Sequence, residues 1–405
     1  MRIAILSQYF DPEPSCIKLS TLVKRLVSAG HDVQVLTSLP NLPLGKLYKG
    51  YHYTFWHRET RMGASVTRAF VWPYRGNRLI KRFVHFLSFM VSVTICGLTL
   101  KPFDLLYVYH PPLTIVFPAL VLSWVYRVRF LYDVQDLWPE AGIAAGAIRP
   151  GLLTRIMHKI AGLAYSRAKH LTVIAPEFKE VLADLGTPSN KISVIPNWTD
   201  EVCYYPRPAA GVRERYGLPE GVFLVMYAGN FGSSHGVGCV LESAKLLRNN
   251  PGIAFAFLGS GAEYPHLRHL AAEMGLPNVH FLGYIDSNDE MPYLFSAADI
   301  MVVHLRGSTS GAVSLPSRMA SYMACARPIL VASRGAPKNL VEAAGCGLTC
   351  EPDDPEALAA AILAVSRRSD LAALGASGRR YYFEHLCEQI SSDRLVRLIE
   401  QLCVT

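Results

Sequence analysis

No two of the nine cysteines form a CxxC pair, and the closest, Cys346 and Cys350, lack both the spacing and the nearby histidines of a zinc or redox site. They read as reduced thiols of a cytosolic protein, not as a disulfide framework. No glycine-rich turn is followed by GK[ST], which excludes a Walker A phosphate loop. No GxGxxG occurs, so nicotinamide binding has no support. MRIAILSQYF at the start is strand-like and shows no signal-peptide cleavage pattern. Charged residues make up only 18% of the chain, and acids are scarcest in the first half. In VSLPSRMASYMACARPIL, Val313 to Leu330, there is no carboxylate at all.

What is present is a 405-residue chain, 51% hydrophobic, too long for one ordinary core. RIAILSQYF reads as a buried strand, KLSTLVKRLVSAGH as an amphipathic helix closed by Gly30, and DVQVLTSLP as a second strand. This is the length of a parallel crossover unit. HLTVIAP, EFKEVLADLG and KISVIPNW repeat it. NWTDEVCYYPRP looks like a linker, and a second series follows: FLVMYAGNFG, IAFAFLGSG, VHFLGYI, DIMVVHL, PILVASRG and CGLTCEP as strands with helices between them. The expectation is two consecutive doubly wound α/β domains, residues 1–200 and 201–378, with the closing helical stretch 379–405 packing back on the first. Ligands of such sheets bind at the carboxyl ends of strands, and a cleft between facing domains is the expected site.

Residues 1–195 carry 23 Lys and Arg against 11 Asp and Glu, whereas the remainder carries 17 against 21. The basic half points to an anionic partner. A membrane surface fits better than nucleic acid, because the same half holds the uncharged run FVHFLSFMVSVTICGLTL, Phe83 to Leu100, flanked by Lys81, Arg82 and Lys101. Three readings of that run stay open: a buried or domain-packing helix, an interfacial helix, and a transmembrane span.

The candidate site residues all lie at strand ends. YAGNFGSSHG is a strand, a glycine turn and a helix start, where backbone N–H groups can meet a phosphate and His235 can touch it; a tight turn with a surface histidine is the plain alternative. FLGSG, with Gly259, and FLGYI, with Gly283, Tyr284 and Ile285, are weaker turns of the same kind. YDVQDLWPE places Asp133, Asp136 and Glu140 together, either as acid–base or sugar-hydroxyl groups or as caps of the next helix. His110, in HPP, is more often structural. In the run without acids, Ser314 is expected to cap a helix, Pro316 to sit in its first turn, and Ser317 and Arg318 to face an anion. Arg318 suits a diphosphate.

With these segments in order, the chain resembles a glycosyltransferase of the GT-B fold and of family 4, the retaining one. SQYFDPE, GHDVQVLTSLPNLPLG, DLWPE, KISVIPNWTD, YAGNFG, FLGSG, FLGYI and PSRMASYMACARPIL carry the resemblance almost end to end, and it is greatest to the O-antigen and colanic-acid branch that includes fucosamine transferases. The resemblance implies two Rossmann-like domains facing across a cleft. It implies a nucleotide-sugar donor, usually UDP-linked, on the C-terminal domain. The acceptor would be a lipid-diphosphate-linked saccharide, of the undecaprenyl type, on the N-terminal domain at the cytoplasmic face of the cell membrane. No metal cofactor and no nucleic acid are implied. By position, Gly229, Asn230 and Phe231 fall near the diphosphate, Gly283 to Ile285 near the base, and Ser314, Leu315, Pro316, Ser317 and Arg318 at the diphosphate helix. Asp136 falls on the sugar or acceptor side, with Asp133 beside it, and Glu13, Ser15 and His110 are assigned to the acceptor side. Three departures stand out. Val313 and Ser321 occupy the places of a Glu-x7-Glu pair, His235 stands for a basic residue, and Glu13-Pro14-Ser15 stands for Gly-Gly. A nucleotide-sugar epimerase and a catalytically silent subunit of the same architecture are the alternative readings.

Overall fold

The computed structural model describes residues 1–404 except Ser15, Pro43, Leu44, Arg75, Asn77, Ala145, Ala147 and residues 286–288; of Leu79, Thr309 and Ser310 it describes the backbone. The chain forms two compact units. The first comprises Met1–Pro139, Pro150–Pro196 and Gln389–Thr405, and the second Glu140–Arg149 and Asn197–Glu388.

The first unit is built on eight strands: β1 Arg2–Leu6, β2 Asp32–Ser38, β3 Trp56–Arg61, β4 Ala64–Ala69, β5 Leu105–His110, β6 Phe130–Val134, β7 His170–Val173 and β8 Ile192–Val194. Their order is β3-β4-β2-β1-β5-β6-β7-β8. All pairs are parallel except β3 with β4. The parallel strands are apolar runs buried on both faces, as helix-covered sheets require. The β3–β4 hairpin is polar on β3 and turns through Met62 and Gly63, both at positive φ.

The second unit holds β9 Phe223–Asn230, β10 Ile253–Ser260, β11 Val279–Gly283, β12 Ile300–His304, β13 Ile329–Ala332 and β14 Gly347–Cys350, ordered β11-β10-β9-β12-β13-β14 and all parallel. In each sheet the chain order reverses beside the first strand, between β1 and β5 and between β9 and β12. Crevices of doubly wound sheets open at such points, beyond the carboxyl ends of the strands. The glycines after β9 and His304 at the end of β12 therefore stand where a ligand is expected, as do the loop after β1 and His110 at the end of β5.

The last helix, Glu388–Val404, returns to the first unit. Leu395 and Ile399 are buried in one core with Leu19, Leu22, Leu26 and Ile195. Arg25 pairs with Asp393 at 3.0 Å, and His31 with Glu400 at 3.0 Å. The crossing falls at Gln389, not at residue 379. Residues before it are held in the second unit: Tyr382 is fully buried and donates to Glu201 at 2.9 Å, and Arg379 donates to the Ala324 carbonyl. Gly378 lets that stretch close on Cys346, where a Cβ would stand 2.8 Å from the Cys346 Cβ. Glu140–Arg149 also clusters with the second unit, although the sequence places it in the first.

The apolar run forms the helix Leu79–Gly97, long and apolar enough to cross a membrane. One face, with His85, Phe89, Val93 and Cys96, is buried in the first unit. His85 bridges Gln8 and the Trp72 carbonyl, each at 2.8 Å. The opposite stripe, Ile80, Phe83, Val84, Leu87, Val91 and Ile95, is exposed. Neither a wholly buried helix nor a lone span describes it.

Candidate functional site

The second unit contains an arginine without a counter-ion among the described residues. Arg318 opens the seven-residue helix Arg318–Ala324, and Tyr322 pins that helix to β9 by donating to the Ala228 carbonyl at 2.6 Å. Arg318 lies over the end of β9, its guanidinium carbon 5.0 Å from the centre of the Tyr227 ring. Nη1 donates weakly to the Tyr227 hydroxyl at 3.4 Å, whereas Nε and Nη2 are buried without a partner. Buried guanidinium donors left unmet are costly, so their natural complement is an anion.

The glycines make room for this arrangement. A Cβ at Gly229, whose φ is +152°, would lie 2.4 Å from Arg318 Nη1. A Cβ at Gly259 would lie 1.9 Å from the Gly229 carbonyl oxygen, so the paired ends of β9 and β10 approach as only glycine allows. Asn230 is exposed beside them.

His235 stands in the next turn with Nδ1 buried and unpartnered. Burial pushes its pKa down to about 3, and the charge of Arg318 adds to the effect. The imidazole is therefore neutral. His304 fixes this turn from behind: its Nδ1 faces the His235 carbonyl at 2.9 Å and its Nε2 accepts from the Asp353 N–H at 3.1 Å. Those partners place the single ring proton on Nδ1, and burial lowers the His304 pKa. Tyr227, Tyr322, His304 and Asp353 support the site but were not singled out by sequence. The aromatic and histidine positions at the ends of β9 and β12 were the available signal.

Several expectations change. Phe231 does not face a ligand: its ring is fully buried against Tyr227 and Tyr264, and its N–H and carbonyl are bonded to Ser260 and Glu263. Ser314 does not cap the helix, because residues 314–317 form an irregular turn in which Pro316 and Ser317 carbonyls accept from Met319 and Ala320. Ser317 holds the cap position without a side-chain bond. Leu315 and Pro316 are half-buried. Gly283, at φ +77°, ends β11 where a Cβ would stand 3.7 Å from the Tyr264 hydroxyl, Tyr284 is exposed and Ile285 half-buried. Val313 is buried, and the Ser321 hydroxyl bonds that of Thr199 at 2.8 Å.

In the first unit the carboxylates separate. Asp133 is fully buried and filled: Lys18 lies 2.9 Å away, Gln135 and Thr172 donate at 2.8 and 2.9 Å, and Tyr107 donates as well. It is a tie between the sheet and the helix Ile17–Ser28, not a group open to substrate. Asp136 is half-buried at the end of the same segment with no hydrogen-bond or ion-pair partner among the described residues, and burial raises its pKa above the ordinary carboxylate value. Glu140 begins the short helix Glu140–Ala144. Glu13 turns inward, accepting from the N–H groups of Phe10, Asn41 and Leu42 at 3.2, 2.8 and 2.9 Å. Burial brings its pKa up to about 7, against the pull of those bonds and of Arg68. It braces two loops rather than facing outward. His110 is buried with Nδ1 unpartnered, and burial lowers its pKa to about 3. Ser15 lies outside the described residues. Among the described residues no three His, Cys, Asp or Glu side chains gather as a metal site would need.

Comparison with known proteins identifies this arrangement. Residues 19–198 match the glycosyl transferase 4-like domain, and residues 222–368 match glycosyl transferases group 1. The chain is a family 4 glycosyltransferase. WcaI of Escherichia coli K12, named for colanic acid biosynthesis, is 25% identical over 378 residues, covering 89% of this chain and 91% of that one. Among solved structures, sucrose-phosphate synthase of Thermosynechococcus elongatus has a TM-score of 0.76 at 20% identity, covering 99% of both chains. Anabaena HepE in complex with UDP-glucose has a TM-score of 0.73 at 16% identity, covering 99% of this chain and 100% of that one. The fold is GT-B.

Proposed function

We propose that this glycosyltransferase moves a sugar, with retention, from a UDP-linked donor to a lipid-diphosphate-linked saccharide during the building of a bacterial surface polysaccharide. The observation that carries the donor half is Arg318, with two buried donors unmet beside the glycine ends of β9 and β10. The name of WcaI supports the pathway class, and the UDP-glucose held by HepE supports the nucleotide.

In this reading Arg318 and the neutral His235 receive the diphosphate, and the reaction runs without a bound metal because the guanidinium meets the leaving charge. The bond from the anomeric carbon to the diphosphate oxygen breaks with its electron pair going to the phosphate. The acceptor oxygen bonds to the same face, and its proton passes to the departing phosphate oxygen. Asp136, without a partner among the described residues, accepts a hydrogen bond from a sugar hydroxyl. Val313 and Ser321 leave the ribose to be held by other groups.

The lipid half rests on the first unit's surface. Besides the stripe on Leu79–Gly97, Phe117 and Trp124, and Leu152, Leu153, Ile156 and Ile160, are exposed on the helices Val116–Tyr126 and Leu152–Arg167. Arg78 and Lys81 stand at the start of Leu79–Gly97. Such a basic, apolar face suits the cytoplasmic surface of the cell membrane, with the helix lying in the interface while its inner face stays with the sheet.

Calorimetric titration with UDP tests the donor half. Arg318→Ala should weaken binding at least about tenfold, the loss of a charge-assisted bond; unchanged affinity would remove Arg318 from the site. For the membrane half, the protein should float with anionic vesicles at low salt and be partly released at high salt. Absence of flotation at any salt rejects that part.

A further inference from the structure

The edge of the first unit's sheet carries a cationic cavity. Strand β8 ends the sheet. A hollow of about 430 Å³ runs along it, walled by Lys179 on the helix Pro176–Asp184 and by Arg394, Arg397 and Gln401 on the helix Glu388–Val404. That volume is within the range of small-molecule sites.

Three cations line it and no carboxylate does. None of the three has an ion-pair partner among the described residues. Two acids of the same helix are engaged elsewhere: Asp393 is taken by Arg25 and Glu400 by His31. The strand contributes polarity too. Ile195 donates to Val173 at 2.8 Å, so by the alternation of a parallel strand the N–H and carbonyl of Val194 turn away from β7, toward the cavity. Positive charge and a main-chain N–H turned into a concave site make a phosphate-binding chemistry.

We propose that this edge cavity binds a small soluble phosphate ester or diphosphate, at a site separate from Arg318. The two arginines and Lys179 hold the phosphate oxygens, and the Val194 N–H donates to one of them. The assignment does not depend on the donor site's nucleotide.

Inorganic pyrophosphate titrated at about 150 mM salt, where long-range attraction is screened, tests it. In the Arg318→Ala protein, which lacks the principal cation of the other site, pyrophosphate should still bind. Adding Arg394→Gln and Arg397→Gln should weaken that binding at least about tenfold. The double glutamine variant with Arg318 intact should keep its affinity for UDP, which verifies that the exposed arginines were not holding the fold. If Arg318→Ala alone abolishes pyrophosphate binding, or the glutamines leave it unchanged, the edge site is refuted. Binding that appears only with anionic phospholipid vesicles, and never with free pyrophosphate, refutes the soluble ligand.

Discussion

Asp133 in the first unit and Arg318 in the second are both charges set at the carboxyl end of a strand layer, and their surroundings are opposite. Asp133 is met by a lysine and three side-chain donors. Arg318 is met by one long contact to a tyrosine hydroxyl, with two donors left over. A buried charge whose valences are filled from within belongs to the architecture. One whose valences are unmet is held ready for something that arrives from outside.

The comparison can be broken by three substitutions. Asp133→Ala should have the largest effect, because it strands the Lys18 ammonium in the core: a loss of about 3–5 kcal/mol in urea unfolding. A loss below about 1 kcal/mol would mean that the network is not a structural tie. Asp136→Asn, three residues on, should leave the unfolding midpoint almost unchanged yet lower transfer about 100-fold. The pH profile sharpens this. The raised pKa of Asp136 predicts that activity of the unaltered protein falls as pH drops through a value above the ordinary carboxylate range, since protonation removes the charge that strengthens the hydrogen bond. The asparagine variant should lack that limb, and a limb that persists assigns it to another group. The smallest expected change is in the stability of Arg318→Ala, within about 1 kcal/mol, because the donors it removes were unmet. A large loss would place Arg318 with Asp133, among the structural charges.

Much of the architecture was legible because parallel strands buried on both faces are short apolar runs, and every such run named in the sequence is a strand. The β3–β4 hairpin escaped because its edge strand, WHRETR, is polar and exposed, leaving only the Met62-Gly63 turn as a signal. At the candidate site, residue type and position pointed to Arg318, Gly229, Gly259 and Asp136, which the fold sets at strand ends or beside them. They could not distinguish Asp133 from Asp136, since both are acids at one strand end and only the position of Lys18, more than a hundred residues earlier in the chain, separates them. Glu13 and Phe231 were drawn toward ligand by their motifs, whereas the fold spends them on main-chain donors and on an aromatic core.

The helix Glu388–Val404 also sets the order in which the protein can be finished. Leu395 and Ile399 complete a core that they share with Leu19, Leu22 and Leu26, residues made long before them. On the ribosome the first unit must therefore wait, with that apolar face uncovered, until this helix emerges, while the second unit already has all of its own residues. Of the two units, the one begun earlier is completed later.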